Sequence, residues 1–144
     1  MNDFDCLKLE NQLCFPLYAC SREIIRKYQP FLDEINLTYT QYITMMVLWE
    51  TNEINVKALG EKLFLDSGTL TPLLKKLENK GYIQRKRSIS DERNLIISIT
   101  EKGKKLKEKA KSIPKKISTC IELNKEDATK LYEILYKILN EKGK

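Results

Sequence analysis

A chain of 144 residues, 42% hydrophobic and 32% charged, carries enough apolar side chains for one packed domain and is not the composition of a disordered protein. Its 26 basic and 20 acidic residues leave a net charge of +6, which points to a polyanionic partner only if the excess is clustered. No apolar run approaches the ~20 residues that span a bilayer. The opening MNDFDCLKLE lacks the cationic-then-apolar order of a signal peptide, so no membrane partner and a cytoplasmic location are expected.

The chain has no histidine, and its four cysteines, Cys6, Cys14, Cys20 and Cys120, form no C-x-x-C pair. The usual general base of nucleophilic catalysis is missing, and a zinc site would need four ligands drawn from scattered thiols and carboxylates. No metal, cofactor or catalytic residue is assigned. A disulfide in a cytosolic chain would be transient and regulatory.

Taken in order, a first helix is expected over roughly 13–33, with a bend near Pro30. A second begins at LTYTQYITMMVLWE, where Thr38 is the N-cap, Gln41 its capping-box partner, and Leu37 with Tyr42 a hydrophobic staple. TNEIN reads as a polar loop. VKALGEKLFL is a short helix capped by Asn55, and DSGTLTPLLKKLENKG reads as cap, helix and terminal glycine at Gly81. YIQRKR and NLIISIT are β-favouring runs separated by the polar turn SISDER, with Leu95, Ile97 and Ile99 alternating on one face. From Thr100 a lysine-rich helix is expected to run to about Thr119, interrupted at Pro114. Asn124 caps a last helix with the apolar stripe Leu131, Ile134, Leu135, Ile138 and Leu139. Two helices with a tight connection followed by a hairpin describe a winged helix-turn-helix in a mainly α chain.

The basic excess is clustered. Between residues 75 and 93 stand Lys75, Lys76, Lys80, Arg85, Lys86, Arg87 and Arg93, against Glu78, Asp91 and Glu92. A solvated face explains most lysine runs. Here Asp66, Ser67, Gly68, Thr69 and Thr71 precede the lysines at a helix start, where hydroxyls meet base edges and backbone N–H groups meet phosphate in a major-groove helix. Asp91, two residues before Arg93, is placed to hold that guanidinium extended at a hairpin tip, a geometry suited to a minor groove; a salt bridge inside the turn is the plainer alternative. Pro72 requires the helix either to start late, near Thr69 to Thr71, or to begin with an irregular turn.

Pro16 belongs in a first turn, so the first helix should begin near Leu13 to Phe15, with Cys14 at or just before its N-terminal turn. Such a position favours the anionic, reactive form of a thiol, whereas most free cysteines are small buried hydrophobes. Tyr18 lies one turn on, on the same face. Tyr28 lies about 21 Å up the axis at ~1.5 Å per residue, out of reach of Cys14 on its own helix, though it could reach the Cys14 of a second, antiparallel copy. Cys20 faces elsewhere and reads as packing, and Cys6 reads as part of a mobile tail. Cys120 is either a core residue or a thiol that resolves an oxidised Cys14.

LENQLCFPLYACSREI, LTYTQYITMMVLWE, LFLDSGTLTPLLKKLENKGYIQRKRS and DERNLIISITEKG together resemble the MarR family of winged-helix repressors. More narrowly they resemble its organic-hydroperoxide-sensing branch, the OhrR type, over roughly residues 7–114. The cysteine block and LDSGTLTPLLKKLE carry the likeness to the branch, and the D-x-R tip the likeness to the wider family. The resemblance implies one MarR-type domain over 1–144, with a DNA-binding lobe at about 34–100 and dimerisation helices at about 7–33 and 101–144. It implies a homodimer on double-stranded DNA with a pseudo-palindromic operator. Cys14 matches the peroxidatic cysteine, and Tyr28 and Tyr39 match the tyrosines that hydrogen-bond it from the opposite subunit, with Tyr18 nearby. Organic hydroperoxide, the implied inducer, would oxidise Cys14 to sulfenic acid, which passes to a mixed disulfide, a protein disulfide or an overoxidised acid, and the repressor would leave its operator. Two other readings compete: a MarR-type repressor released by a small aromatic ligand, or a broader redox-responsive regulator. A thiol peroxidase ranks far behind, since the basic hairpin has no role in it.

Overall fold

The computed structural model describes residues 2–87 and 94–141. The chain divides into two compact units, Met1–Ile113 and Pro114–Lys144. The first opens with 3₁₀ turns at Asp5–Leu7 and Leu9–Asn11. It continues through α1 (Cys14–Asp33), α2 (Tyr39–Thr51), β1 (Glu53–Asn55), α3 (Val56–Leu63), α4 (Ser67–Asn79), β2 (Ile83–Arg87), β3 (Leu95–Ile99) and α5 (Glu101–Ala110). The division falls in the first turn of α6 (Ile113–Cys120), and α7 (Lys125–Leu139) completes the second unit.

Side-chain caps set most helix starts. Thr38 accepts from the Gln41 N–H while the Gln41 side chain accepts from the Thr38 N–H, the reciprocal box expected from sequence. Asn55, Asp66, Thr100 and Asn124 cap α3, α4, α5 and α7 with a single bond each, the side-chain oxygen accepting from the backbone N–H three residues on. Gly81 follows α4 at φ +83°, a left-handed position that glycine adopts without strain. Pro30 does not end α1, which runs on to Asp33.

Two expectations are corrected. TNEIN is not wholly a loop: Glu53–Asn55 forms β1, an edge strand paired antiparallel to β3 with Ile54 opposite Ile97, and the sheet order is β1-β3-β2. Three residues are too short to display alternation, and the strand exists because β3 offers a free edge. The lysine-rich segment is two helices. α5 ends at Ala110 and α6 starts at Ile113, so Pro114 falls inside a first turn, where its missing N–H costs nothing.

The core of the first unit joins Leu32, Tyr42, Met45, Leu48, Leu59, Ile83, Ile97 and Leu106 to the four leucines of α4. Trp49 ties α2 to α5, its Nε1–H donating to the Gly103 carbonyl at 2.9 Å. That approach needs glycine: a Cβ at 103 would stand 2.4 Å from the Tyr82 carbonyl oxygen and 2.8 Å from an Ile99 side-chain carbon. Gly103→Ala is therefore expected to destabilise the fold by about 1–3 kcal/mol through overpacking, read as a lowered denaturant midpoint with unchanged slope.

Candidate nucleic-acid interface and thiol site

α4 has two unlike faces. Leu70, Leu73, Leu74 and Leu77, at i, i+3, i+4 and i+7, are buried, each worth roughly 1.5–3 kcal/mol. Ser67, Thr69, Thr71, Lys75 and Lys76 are left exposed on the other face, with Asp66 at the cap. Asp66 Oδ1 accepts from the Thr69 N–H at 2.8 Å, and this bond holds its carboxyl below the usual carboxylate range. The Thr71 hydroxyl donates to the Ser67 carbonyl at 2.9 Å, which leaves its oxygen lone pairs facing outward as acceptors. Neither route allowed for Pro72 is taken: the helix starts at Ser67 and runs through Pro72 at its sixth residue. The carbonyl deprived of a partner there is that of Gly68, which is exposed to water.

On β2, Lys86 and Arg87 are exposed, but Arg85 is not simply displayed. Its guanidinium is held by Glu78 of α4 at 2.9 Å. Asp91 and Arg93, with the whole SISDER turn, lie outside the described residues. At the foot of α4, Lys80 Nζ donates to the Asn36 carbonyl at 2.6 Å and to Gln41 Oε1 at 3.0 Å, fastening that end to the start of α2. Burial, then the neighbouring Lys76 charge, pulls the Lys80 ammonium below its ordinary value.

Cys14 is the first residue of α1 and is exposed. Its helix start differs from those of α2 to α5: Leu13 supplies no side-chain cap, and Pro16, at the third position, has no N–H to satisfy. The preceding segment, read from sequence as a tail around Cys6, forms two 3₁₀ turns. Gln12 Nε2 donates to the carbonyls of Cys6 and Lys8 at 2.8 and 2.7 Å, and Asn11 Nδ2 to that of Asp5 at 2.7 Å, so the segment closes on itself just before the helix start. Beside it lies an open cleft of about 710 Å³ lined by Lys8, Leu9, Gln12, Phe15 and Pro16. Tyr18 is exposed, and Arg22 donates to its hydroxyl at 3.2 Å. Cys20, expected to pack, is exposed as well, because the α1 turn that carries it contributes nothing to the core of its own chain. Cys120 is half-buried at the end of α6, its Sγ 3.5 Å from the Lys116 carbonyl.

Tyr28 and Tyr39 are brought together, with ring centroids 5.0 Å apart. Tyr42 lies tilted at 5.9 Å from Tyr28 and 6.3 Å from Tyr39, and meets Trp49 edge-on at 6.4 Å. Burial, then Tyr28 and Tyr39, pushes the Tyr42 phenol up to about 12. Burial and Tyr39 also raise that of Tyr28. The sequence reading missed Tyr42 as a member of this group, although its i+3 spacing from Tyr39 was visible. It also missed Glu78 and Lys80 as positioning groups, whose partners are set by tertiary contacts and left no sequence signal.

Among the described residues no helix is long and apolar enough to cross a membrane, and no group of three His, Cys, Asp or Glu side chains could hold a metal ion.

A short α3, a tight connection, an α4 with one open polar face and a three-stranded sheet define a winged helix-turn-helix protein of the transcription-regulator class. A family model for the transcriptional regulators SarA and Rot matches residues 26–110. The organic hydroperoxide resistance transcriptional regulator of Bacillus subtilis (strain 168) is 53% identical over 138 residues, covering 96% of this chain and 94% of that protein. Among solved structures, reduced AbfR bound to DNA is similar at TM-score 0.76 and 37% identity, covering 92% of each chain. The disulfide-formed AbfR is similar at TM-score 0.65 and 36% identity, covering 93% of this chain and 94% of that one. The chain belongs to the MarR family of winged-helix transcriptional regulators, in its organic hydroperoxide resistance branch.

The tyrosine group has a measurable signature. The Tyr42 value near 12 lies above that of an unfolded tyrosine, about 10. The stability contributed by keeping this phenol neutral and buried is therefore complete below pH ~10 and is lost as the pH climbs toward the folded-state value. Ultraviolet titration should show a late-ionising phase near pH 12 in the native chain that is missing in Tyr42→Phe. A Tyr42→Phe titration superimposable on the native one at high pH would contradict the assignment.

Proposed function

We propose that this chain is a cytoplasmic, homodimeric, DNA-binding repressor that senses organic hydroperoxides through Cys14 and then leaves a pseudo-palindromic operator. The observation that carries the reading is the exposed thiol at the uncapped first turn of α1, in a winged-helix chain whose α4 leaves Ser67, Thr69, Thr71, Lys75 and Lys76 open.

The DNA-binding lobe is residues 34–100. The polar start of α4, from Asp66 to Thr71, enters a major groove, and Lys75, Lys76, Lys86 and Arg87 meet phosphates. In this reading Asp91 and Arg93 serve the wing tip, while Arg85 acts from its pairing with Glu78.

Residues 7–33 and 101–144 dimerise the protein. Their apolar side chains support this: Leu13 is 87% exposed in the single chain, and α7 buries none of its residues while carrying Leu131, Ile134, Ile138 and Leu139. Water contact over such faces is relieved when a second copy covers them. Tyr28 and Tyr39 of the partner subunit then approach Cys14, with Tyr18 of its own helix beside it.

The chemistry balances simply. The Cys14 thiolate attacks one oxygen of the hydroperoxide, the O–O bond breaks, an S–O bond forms, and the alcohol leaves after protonation. The sulfenic acid condenses with a second thiol, losing water to give a disulfide; Cys120 is the candidate within the chain and a small cellular thiol the alternative outside it. Either product enlarges the sulfur site and changes its polarity, which shifts the packing between the dimer helices and with it the spacing of the two α4 helices.

Fluorescence anisotropy on an operator duplex tests this. An organic hydroperoxide should release the native protein, and Cys14→Ser should stay bound. Release of the serine variant by the hydroperoxide, or release of the native protein by a non-oxidising phenol alone, would overturn the reading. Independently, Lys75→Ala and Lys76→Ala should each weaken binding to all duplexes and reduce the slope of log K against log salt by about 1.

A further inference from the structure

Arg85 carries positive charge into the region assigned above to DNA, yet one edge of its guanidinium is already engaged. Nε and Nη2 donate to Glu78 Oε1 at 3.1 and 2.9 Å, and the Arg85 backbone N–H donates to Glu78 Oε2 at 3.2 Å. The arginine forms draw the Glu78 carboxyl below its usual range. Both side chains are partly exposed, Arg85 at 25% and Glu78 at 35%. The pair bridges the turn from α4 to β2. On its other side the same turn is pinned by Thr100, whose hydroxyl donates to the Gly81 carbonyl at 2.6 Å and whose N–H donates to that of Tyr82 at 3.0 Å.

A surface built only to attract phosphate would omit Glu78, which repels phosphate and neutralises Arg85. The three bonds make sense as a device for angle rather than charge. A guanidinium fork fixes direction, which an ammonium cannot do.

We propose that Glu78 and Arg85 are a positioning pair that locks β2 to α4, so that the α4 face and the wing strands engage one duplex together. This rests on the DNA-binding reading above. It opposes the simpler assignment of Arg85 as a phosphate contact, and the two differ in sign. If Arg85 met phosphate, E78Q would free it, remove a repelling charge and tighten binding. If the pair positions the wing, E78Q loosens binding despite that gain in charge.

The test compares the native chain, E78Q, R85K and the double variant by anisotropy. The probes are a duplex selected by the native protein from a random pool and an unselected duplex of equal length. Circular dichroism confirms that each variant is folded at the assay temperature. E78Q and R85K are each expected to weaken binding to the selected duplex about tenfold, the loss of one charge-assisted hydrogen bond. The double variant should be no weaker than either single one. The ratio of selected to unselected affinity should fall, which a loss of stability alone would not produce. Native-like or tighter binding by E78Q, full binding by R85K, additive losses in the double variant, or an unchanged ratio would each overturn the proposal. A native chain that binds no duplex would overturn the DNA-binding reading itself, and the pair's role with it.

Discussion

The burial of four leucines along α4 is the constraint on which the rest depends. Once Leu70, Leu73, Leu74 and Leu77 are committed to the core, the rotation of the helix is set, and every 3.6-residue turn must present its remaining positions to solvent. Those positions hold hydroxyls, a proline and two lysines. The packing that supports the helix is tight at its entry as well. A Cβ at Gly60 of α3 would stand 2.8 Å from the Leu65 carbonyl oxygen and 3.1 Å from a Leu70 methyl, so α3 leaves no room there beside the connection and the first leucine of α4. The polar face is thus displayed by a rigid body rather than by a loop, as a surface that reads another surface requires.

Two helix starts in this molecule are used in opposite ways. Asp66 closes the start of α4 with its own carboxylate, which spends the helix's positive end on structure. Leu13 leaves the start of α1 without such a partner, beside a thiol that water reaches. The difference follows from side-chain chemistry: an aspartate at the cap competes with any other anion for the same N–H groups, and a leucine does not.

The wing shows a related trade. Lys86 adds positive charge at the surface, while Arg85, its neighbour on the same strand, gives up its charge to Glu78. Geometry and attraction are assigned to different side chains. The tyrosines divide the same way: Tyr42 is sealed in the core and raised far from its ordinary value, while Tyr28 and Tyr39 rest on it, half-buried at the surface.

Much of the fold was legible because it is written in local chemistry. Caps at Thr38, Asn55, Asp66, Thr100 and Asn124 and the stop at Gly81 are all short-range signals, and each stands where the sequence placed it. The prominence of Cys14 was legible for the same reason, since Pro16 limits where a helix can begin. β1 was not, because three residues carry no period and pair only when β3 lies beside them. Nor was the exposure of Cys20, the bonding within residues 5–12, the place of Tyr42 beside Tyr28 and Tyr39, or the capture of Arg85 by Glu78. A sequence by itself determines which groups a segment carries and the period on which it repeats. Which of those groups meet across a turn, a sheet edge or a pair of helices is decided only when the chain has closed on itself, because such contacts depend on distances that no local rule sets.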